Sequence, residues 1–202
     1  MLATRVRSPS SWVVMDPHLR TAALKGDLAA LNHALDDGAD PNAADDDGYN
    51  PLIYAACNDR VACAARLIKA GARVDCHTKA ARTGFSRTPL NIAVRYGYAY
   101  MVRVLVAGGA QIDYAPTTEA WLDGRTTLGH ALTDPNQTVK PAQRKVIAYL
   151  RAVRAAGGFP AYARAHRSRF AAIFSRGTRL PADVIPKIVD YWAHLGWYKY
   201  TQ

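Results

Sequence analysis

Apolar residues recur along most of this chain at helical spacing, in pairs of short stretches divided by glycine. The clearest pair begins at Pro51. Leu52, Ala55 and Ala56 follow at i, i+3 and i+4 and are mostly small enough to admit a close neighbour, while Pro51 suits a first helical turn, where its missing N–H costs nothing. The next stretch, "RVACAARLIKAG", is apolar at Val61, Ala64, Ala65, Leu67 and Ile68, and Gly71 supplies the left-handed backbone that closes a helix. Upstream, "DDDGY" predicts a turn at Gly48. One unit therefore reads as a turn, a short helix, a longer antiparallel helix and a loop.

The unit repeats. "GADPNA" at Gly38, "GARVDC" at Gly71 and "GGAQIDY" with its second glycine at Gly109 stand 33 and 38 residues apart. Leu19, Pro51-Leu52, Pro89-Leu90 and Thr127-Leu128 keep steps of 33, 38 and 38, so a period is present with a five-residue insertion. A unit of this size cannot bury its own apolar face, and stacking is what makes it stable.

"DDDGYNPLIYAA" followed by "LIKAGARVD" resembles the ankyrin repeat, with its turn glycine, Thr-Pro-Leu-His, Ala-Ala and Leu-Leu-Gly-Ala-Asp landmarks. The resemblance covers about residues 16 to 158 in four units, the second and third specific, the first and fourth caps or drifted copies. It implies an all-α solenoid of about four repeats, preceded by an unstructured tail over residues 1–15 and followed by a basic helical segment over 159–202. Asn50 stands in place of the usual Thr, Ile53 and Asn91 in place of His, and Thr127 in place of Pro, which predicts weakened helix starts. "KAARTGFS" lengthens the hairpin between units two and three, and "TDPNQTVKP" the link inside unit four.

Composition and charge narrow the classes. Half of the residues are hydrophobic, enough for a core, and no run approaches the roughly 18 apolar residues of a membrane span. The start, "MLATRVRSPSSWVVM", has too short an apolar run for a secretory signal and reads as a disordered tail, with a mitochondrial presequence as the alternative. Cys57, Cys63 and Cys76 are odd in number and read as buried thiols in a reducing compartment, cytosol or nucleus; zinc ligation with His77 lacks the usual short-range chelate. Residues 1–139 carry 14 Lys or Arg and 14 Asp or Glu, whereas residues 140–202 carry 12 and 2, so the whole +10 belongs to the last third.

No catalytic constellation emerges. A nucleophile elbow, a P-loop and an H-E-x-x-H helix are all missing, and the six His are scattered. The expectation is a protein that is not an enzyme and needs no cofactor or metal. Its partner is then another protein, read on turns and short helices as the resemblance implies: Asp46, Asp47, Tyr49, Cys57 and Asn58 in unit two, Phe85, Arg87, Arg95 and Tyr96 in unit three, and Leu122, Asp123, Arg125, Thr133 and Asp134 in unit four, beside Trp121. Phe85 with Arg87 and Trp121 with Arg125 are the expected anchors, because such side chains bury large area at small entropic cost. Packing of the hairpin tips is the alternative for both aromatics, and a solvated turn is the alternative for Asp45 to Asp47.

The tail has two parts. "AYARAHRSRFAAIFSRGTR" places five Arg among Tyr162, Phe170, Ile173 and Phe174, a helix with one apolar stripe whose cations suit phosphates, an acidic protein or plain solvation. Then Leu180-Pro181 opens a run with Val184, Ile185, Ile188, Val189 and Trp192 at helical spacing. This resembles the opening of an F-box, and ankyrin repeats followed by a shortened F-box resemble poxvirus-type ankyrin proteins with a PRANC domain; a SOCS box is the weaker likeness. The resemblance implies that Leu180, Pro181, Val184, Ile185, Ile188 and Val189 face the small adaptor subunit of a cullin-RING ubiquitin ligase in a host cell. An ordinary capping helix is the alternative. The leading class is an adaptor between a target and a ligase, with a pure scaffold and a nucleic-acid-associated factor using the Arg-rich tail as alternatives; without a recognised reading helix or stacking platform beside those Arg, the expected partners are proteins and not nucleic acid or membrane, and the chain is expected to be a monomer.

Overall fold

The computed structural model describes residues 15–79, 87–113 and 140–177, with side chains up to residue 169. Its regular elements are helices: α1 Pro17–Lys25, α2 Leu28–Asp36, α3 Pro51–Cys57, α4 Val61–Lys69, α5 Pro89–Tyr96, α6 Ala99–Ala107, α7 Pro141–Ala155 and α8 Phe159–Gly177. Among the described residues no helix is long and apolar enough to cross a membrane.

The short helices α1, α3 and α5 each begin with Pro behind a side-chain cap. Asp16 accepts from the N–H groups of His18 and Leu19 (2.7 and 3.1 Å), Asn50 from Ile53 (2.9 Å) and Thr88 from Asn91 (3.1 Å). The expected weakness at Asn50 is therefore corrected. Its side chain is 3% exposed and its amide oxygen takes the N–H that a Thr hydroxyl takes in the next unit. The first helix of each pair turns into its partner through a left-handed residue, Gly26, Asp59 or Gly97.

α1, α3 and α5 pack side by side in one row, and α2, α4 and α6 in a second, antiparallel row. Leu19, Leu52 and Leu90 stack through the first row, and Leu31, Leu67 and Leu105 through the second, all essentially sealed from solvent. Polar clasps repeat with the units. The Asn42 oxygen accepts from the Arg73 N–H at 2.7 Å, and one unit later Asp75 accepts from the Gln111 N–H at 3.0 Å.

α7 takes the place of a fourth outer helix. In the first joint the Arg60 side chain, at the start of α4, donates to the Leu24 carbonyl at the end of α1; in the last, Gln143 at the start of α7 donates to the Arg95 carbonyl at the end of α5. Gly97 brings the two helices together so closely that a Cβ there would stand 2.9 Å from the Ala142 methyl. Val146, Ile147, Leu150 and Val153 then close the apolar end of the array. Gly157 and Gly158, both left-handed, turn the chain into α8, one continuous helix with Pro160 in its first turn, packed through Phe159 and Tyr162. The stripe of Phe170, Ile173 and Phe174 falls on this helix, with side chains outside the described residues.

Candidate functional site

The site is built from the loops that precede the short helices and from the outward positions of those helices. In the first loop Asp45 organises the turn. Its Oδ1 accepts from the N–H groups of Asp47 (3.1 Å) and Tyr49 (2.8 Å), and its Oδ2 accepts the Tyr54 hydroxyl at 2.7 Å. Burial, reinforced by that bond to a carboxylate, pushes the Tyr54 phenol up to about 12, while the charge of Arg20 opposes the rise. The ring of Tyr49 leans on that of Tyr54, 5.4 Å away. Asp45 is thus a structural residue, and its neighbours Asp46 and Asp47 are the ones left pointing to solvent.

Gly48 is required by a close approach. A Cβ at that position would lie 2.6 Å from the Lys79 nitrogen, and the Lys79 N–H donates to the Asp47 carbonyl at 3.0 Å, so consecutive loops are hydrogen-bonded side by side. The second loop is closed at its base by the Thr78 N–H on the Arg87 carbonyl (3.1 Å) and the Arg87 N–H on the Thr78 hydroxyl (3.0 Å). Its tip, including Phe85, lies outside the described residues.

On the helices, Cys57 and Arg95 stand 38 residues apart at equivalent positions, as do Asn58 and Tyr96. Arg87, Arg95, Tyr96 and Asn58 are exposed, and Tyr49 and Cys57 half-buried. Tyr96 is 56% exposed and stacks on Tyr98 at 5.5 Å; Arg87 is close enough to Cys57 to oppose electrostatically the rise that burial imposes on its thiol. Asn58 has a local task as well, since its amide donates to the Tyr54 carbonyl at the end of α3. Burial also raises the Cys63 thiol, and pushes that of Cys76 up to about 11, which keeps both protonated and weakly reactive at neutral pH.

Two residues of this face escaped the sequence reading. Arg20 and Leu24 are exposed on α1, and Leu24 lies 33 residues before Cys57, the same step that relates the first two glycine landmarks. Extending that offset into the degenerate first unit was the signal available. Trp121, Leu122, Asp123, Arg125, Thr133, Asp134 and the whole set Leu180, Pro181, Val184, Ile185, Ile188 and Val189 lie outside the described residues.

Paired antiparallel helices stacked in two rows, with loops hydrogen-bonded along one edge, define a helical repeat solenoid. Residues 19–116 match the family model of ankyrin repeats, in three copies, so the fold is an all-α ankyrin-repeat array over this part of the chain. The chain is 38% identical over 58 residues to ankyrin repeat domain-containing protein 39 of Homo sapiens, covering 29% of this chain and 32% of that protein. It is 39% identical over 90 residues to potassium channel KOR1 of Oryza sativa subsp. japonica, covering 45% of this chain and 10% of that one. The chain thus spans about a third or less of the length of the curated relatives it matches, and the family match ends before α7. Ankyrin repeats are protein-binding modules, and the family match, which ends at residue 116, does not reach the Leu180-Pro181 segment.

Proposed function

We propose that this protein is a non-enzymatic adaptor of the cytosol or nucleus that holds a protein target on the face made by its loops and by α1, α3 and α5. The observation that carries the reading is the row of equivalent positions, Leu24, Cys57 and Arg95, bordered by exposed Asp46, Asp47, Arg87 and Tyr96. α3 and α5 bury most of their residues, and the exposed positions at their ends and in the loops before them carry Arg, Tyr and acidic side chains, which is the composition of a protein interface. Affinity capture with the full chain, read by mass spectrometry against an Arg87→Glu/Arg95→Glu/Tyr96→Ala variant of unchanged thermal stability, tests it. Proteins recovered by the parent and lost by the variant support the reading; an identical set overturns it.

The second half of the reading is recruitment of a cullin-RING ubiquitin ligase by Leu180, Pro181, Val184, Ile185, Ile188 and Val189, supported by the Leu-Pro opening and the helical spacing that follows. Capture with the full chain, compared with a chain ending at Arg179, decides it. Equal recovery of ligase subunits from both refutes recruitment and leaves a scaffold.

A further inference from the structure

Residues 140–177 contain nine Lys or Arg and no acid. The structure places them on two helices packed together, and the solvent faces of those helices have an unusual composition. Every exposed residue between 140 and 169 is Lys, Arg, Ala, Gly, Pro or Ser. An ordinary solvated helix intersperses both signs and pairs them at i, i+4, which adds solubility and a few tenths of a kcal/mol per pair. Here Lys145, Arg151, Arg164 and Arg169 project among short side chains such as Ala148, Ala152 and Ala165, so nothing long or acidic stands between a cation and an approaching surface.

We propose that the exposed face of α7 and α8 binds the phosphate backbone of a nucleic-acid duplex without reading its sequence. Three features select that partner. Any acid on such a face would repel a polyanion of uniform charge, and neither helix carries one, Asp113 of the preceding loop being paired with Arg154, whereas a protein partner tolerates mixed signs. Arginine predominates, whose planar fork matches phosphate oxygens in pairs. The rings on the two helices are engaged with each other and with α6: Tyr149 meets Tyr162 edge to face at 5.5 Å, Tyr162 leans on His166 at 5.0 Å, and Arg103 lies over Tyr149 at 5.9 Å. Single-stranded bases therefore find little ring surface to stack on, and the duplex, with about one charge per 1.7 Å, offers the densest phosphate row. Arg154 is engaged elsewhere, on Asp113 at 3.2 Å, and is not counted among the contacts.

The test is fluorescence anisotropy of the full chain with a labelled 25-base-pair duplex of generic sequence, titrated at several salt concentrations. With about five phosphate contacts, the slope of log K against log salt is about −4.5, and affinity falls on the order of 500-fold between 50 and 200 mM salt. The Lys145→Ala/Arg151→Ala/Arg164→Ala variant keeps good helix formers at exposed positions and lowers the magnitude of that slope by about 2.7. A flat salt response of the parent overturns the proposal whether or not the variant folds. Equal or tighter binding of a poly-glutamate chain, of a single strand of the same length, or of anionic lipid vesicles also overturns it, because each replaces the duplex backbone as the preferred partner. Loss of duplex binding by this variant, with the target capture of the previous section unchanged, keeps the two surfaces separate.

Discussion

Replacing Asp45 by Ala removes a carboxylate that holds the first loop from three directions. The lost interactions are two backbone N–H groups, of Asp47 and Tyr49, and the Tyr54 hydroxyl. A hydrogen bond to a charged acceptor contributes more than a neutral one, but Asp45 is half-exposed and water replaces part of the loss, so the expected cost is about 2–3 kcal/mol. For a chain of this size that lowers the melting temperature by about 5–10 °C. Asp45→Asn retains the Oδ1 acceptor and offers the phenol an amide donor, and its cost is about 1 kcal/mol. Urea unfolding followed by circular dichroism measures both. A parallel ultraviolet titration follows Tyr54, whose phenol loses the carboxylate that helps raise it and so moves down from about 12 in Asp45→Ala. If Asp45→Ala unfolds within 0.5 kcal/mol of the parent and the Tyr54 titration does not move, the loop is not held in this way, and the exposure of Asp46 and Asp47 loses its structural cause.

Asp59 adopts φ 52 where units one and three use Gly26 and Gly97, so Asp59→Gly raises stability by about 0.5–1 kcal/mol in the same unfolding assay, and an unchanged midpoint refutes the strain. Asn50→Ala strips the cap from the buried Ile53 N–H and costs about 1–2 kcal/mol, while Asn50→Thr stays within about 0.5 kcal/mol because its hydroxyl takes the same bond; equal losses in both would refute the cap. Gly97→Ala and Gly109→Ala both force a methyl onto a left-handed backbone, at about 1 kcal/mol each, but only the first meets another helix, at Ala142 and Gln143, so it costs about 1–2 kcal/mol more and exposes the amides of α7 to hydrogen exchange. The thiols of Cys57, Cys63 and Cys76 and the phenols of Tyr54, Tyr98 and Tyr149 are all raised chiefly by burial, which favours the neutral form in the folded state; that stability is fully present at neutral pH, starts to fall near pH 9 where the unfolded thiols ionise, and continues to fall as the pH climbs through about 12, so unfolding midpoints stay level between pH 7 and 8 and decline above, and a midpoint unchanged at pH 11 refutes the burial.

The repeat was legible because its two determinants are local: apolar residues at helical spacing, and glycine where the backbone turns left-handed. Leu52, Leu67, Leu90 and Leu105 could be assigned to the core from spacing alone, and all four are sealed. What spacing did not carry were interactions that depend on a neighbouring loop. Asp45 looked like one of three equivalent acids, and only the fold shows that Tyr54, nine residues on, returns its hydroxyl to it. Asn50 looked like a departure from the ankyrin pattern because the comparison was with a residue type; the helix needs an oxygen at that place, and Asn has one. Arg20 and Leu24 were missed because the first unit lacks the turn glycine that marks the others. The helix expected in the tail is present as α8, which runs from Phe159 to Gly177 with Pro160 in its first turn, where proline is tolerated.

The end of the array separates two roles that the sequence left entangled. A solenoid needs its last apolar face covered, and the scaffold reading assigned that task to the whole C-terminal segment. Among the described residues α7 takes part in that cover: Val146, Ile147, Leu150 and Val153 are buried, and Gln143 and Ala142 lock its start to α5. A chain ending at Arg179 keeps α7 complete, so a loss of ligase subunits at unchanged thermal stability reads as a lost docking segment, whereas a lowered melting temperature on that truncation reads as a lost cap. The same helix carries Lys145 and Arg151 on its opposite side. Burial of Val146, Ile147, Leu150 and Val153 thus fixes the helix that carries these exposed cations to the array, and a duplex bound there would be tethered to the same array that presents the loops.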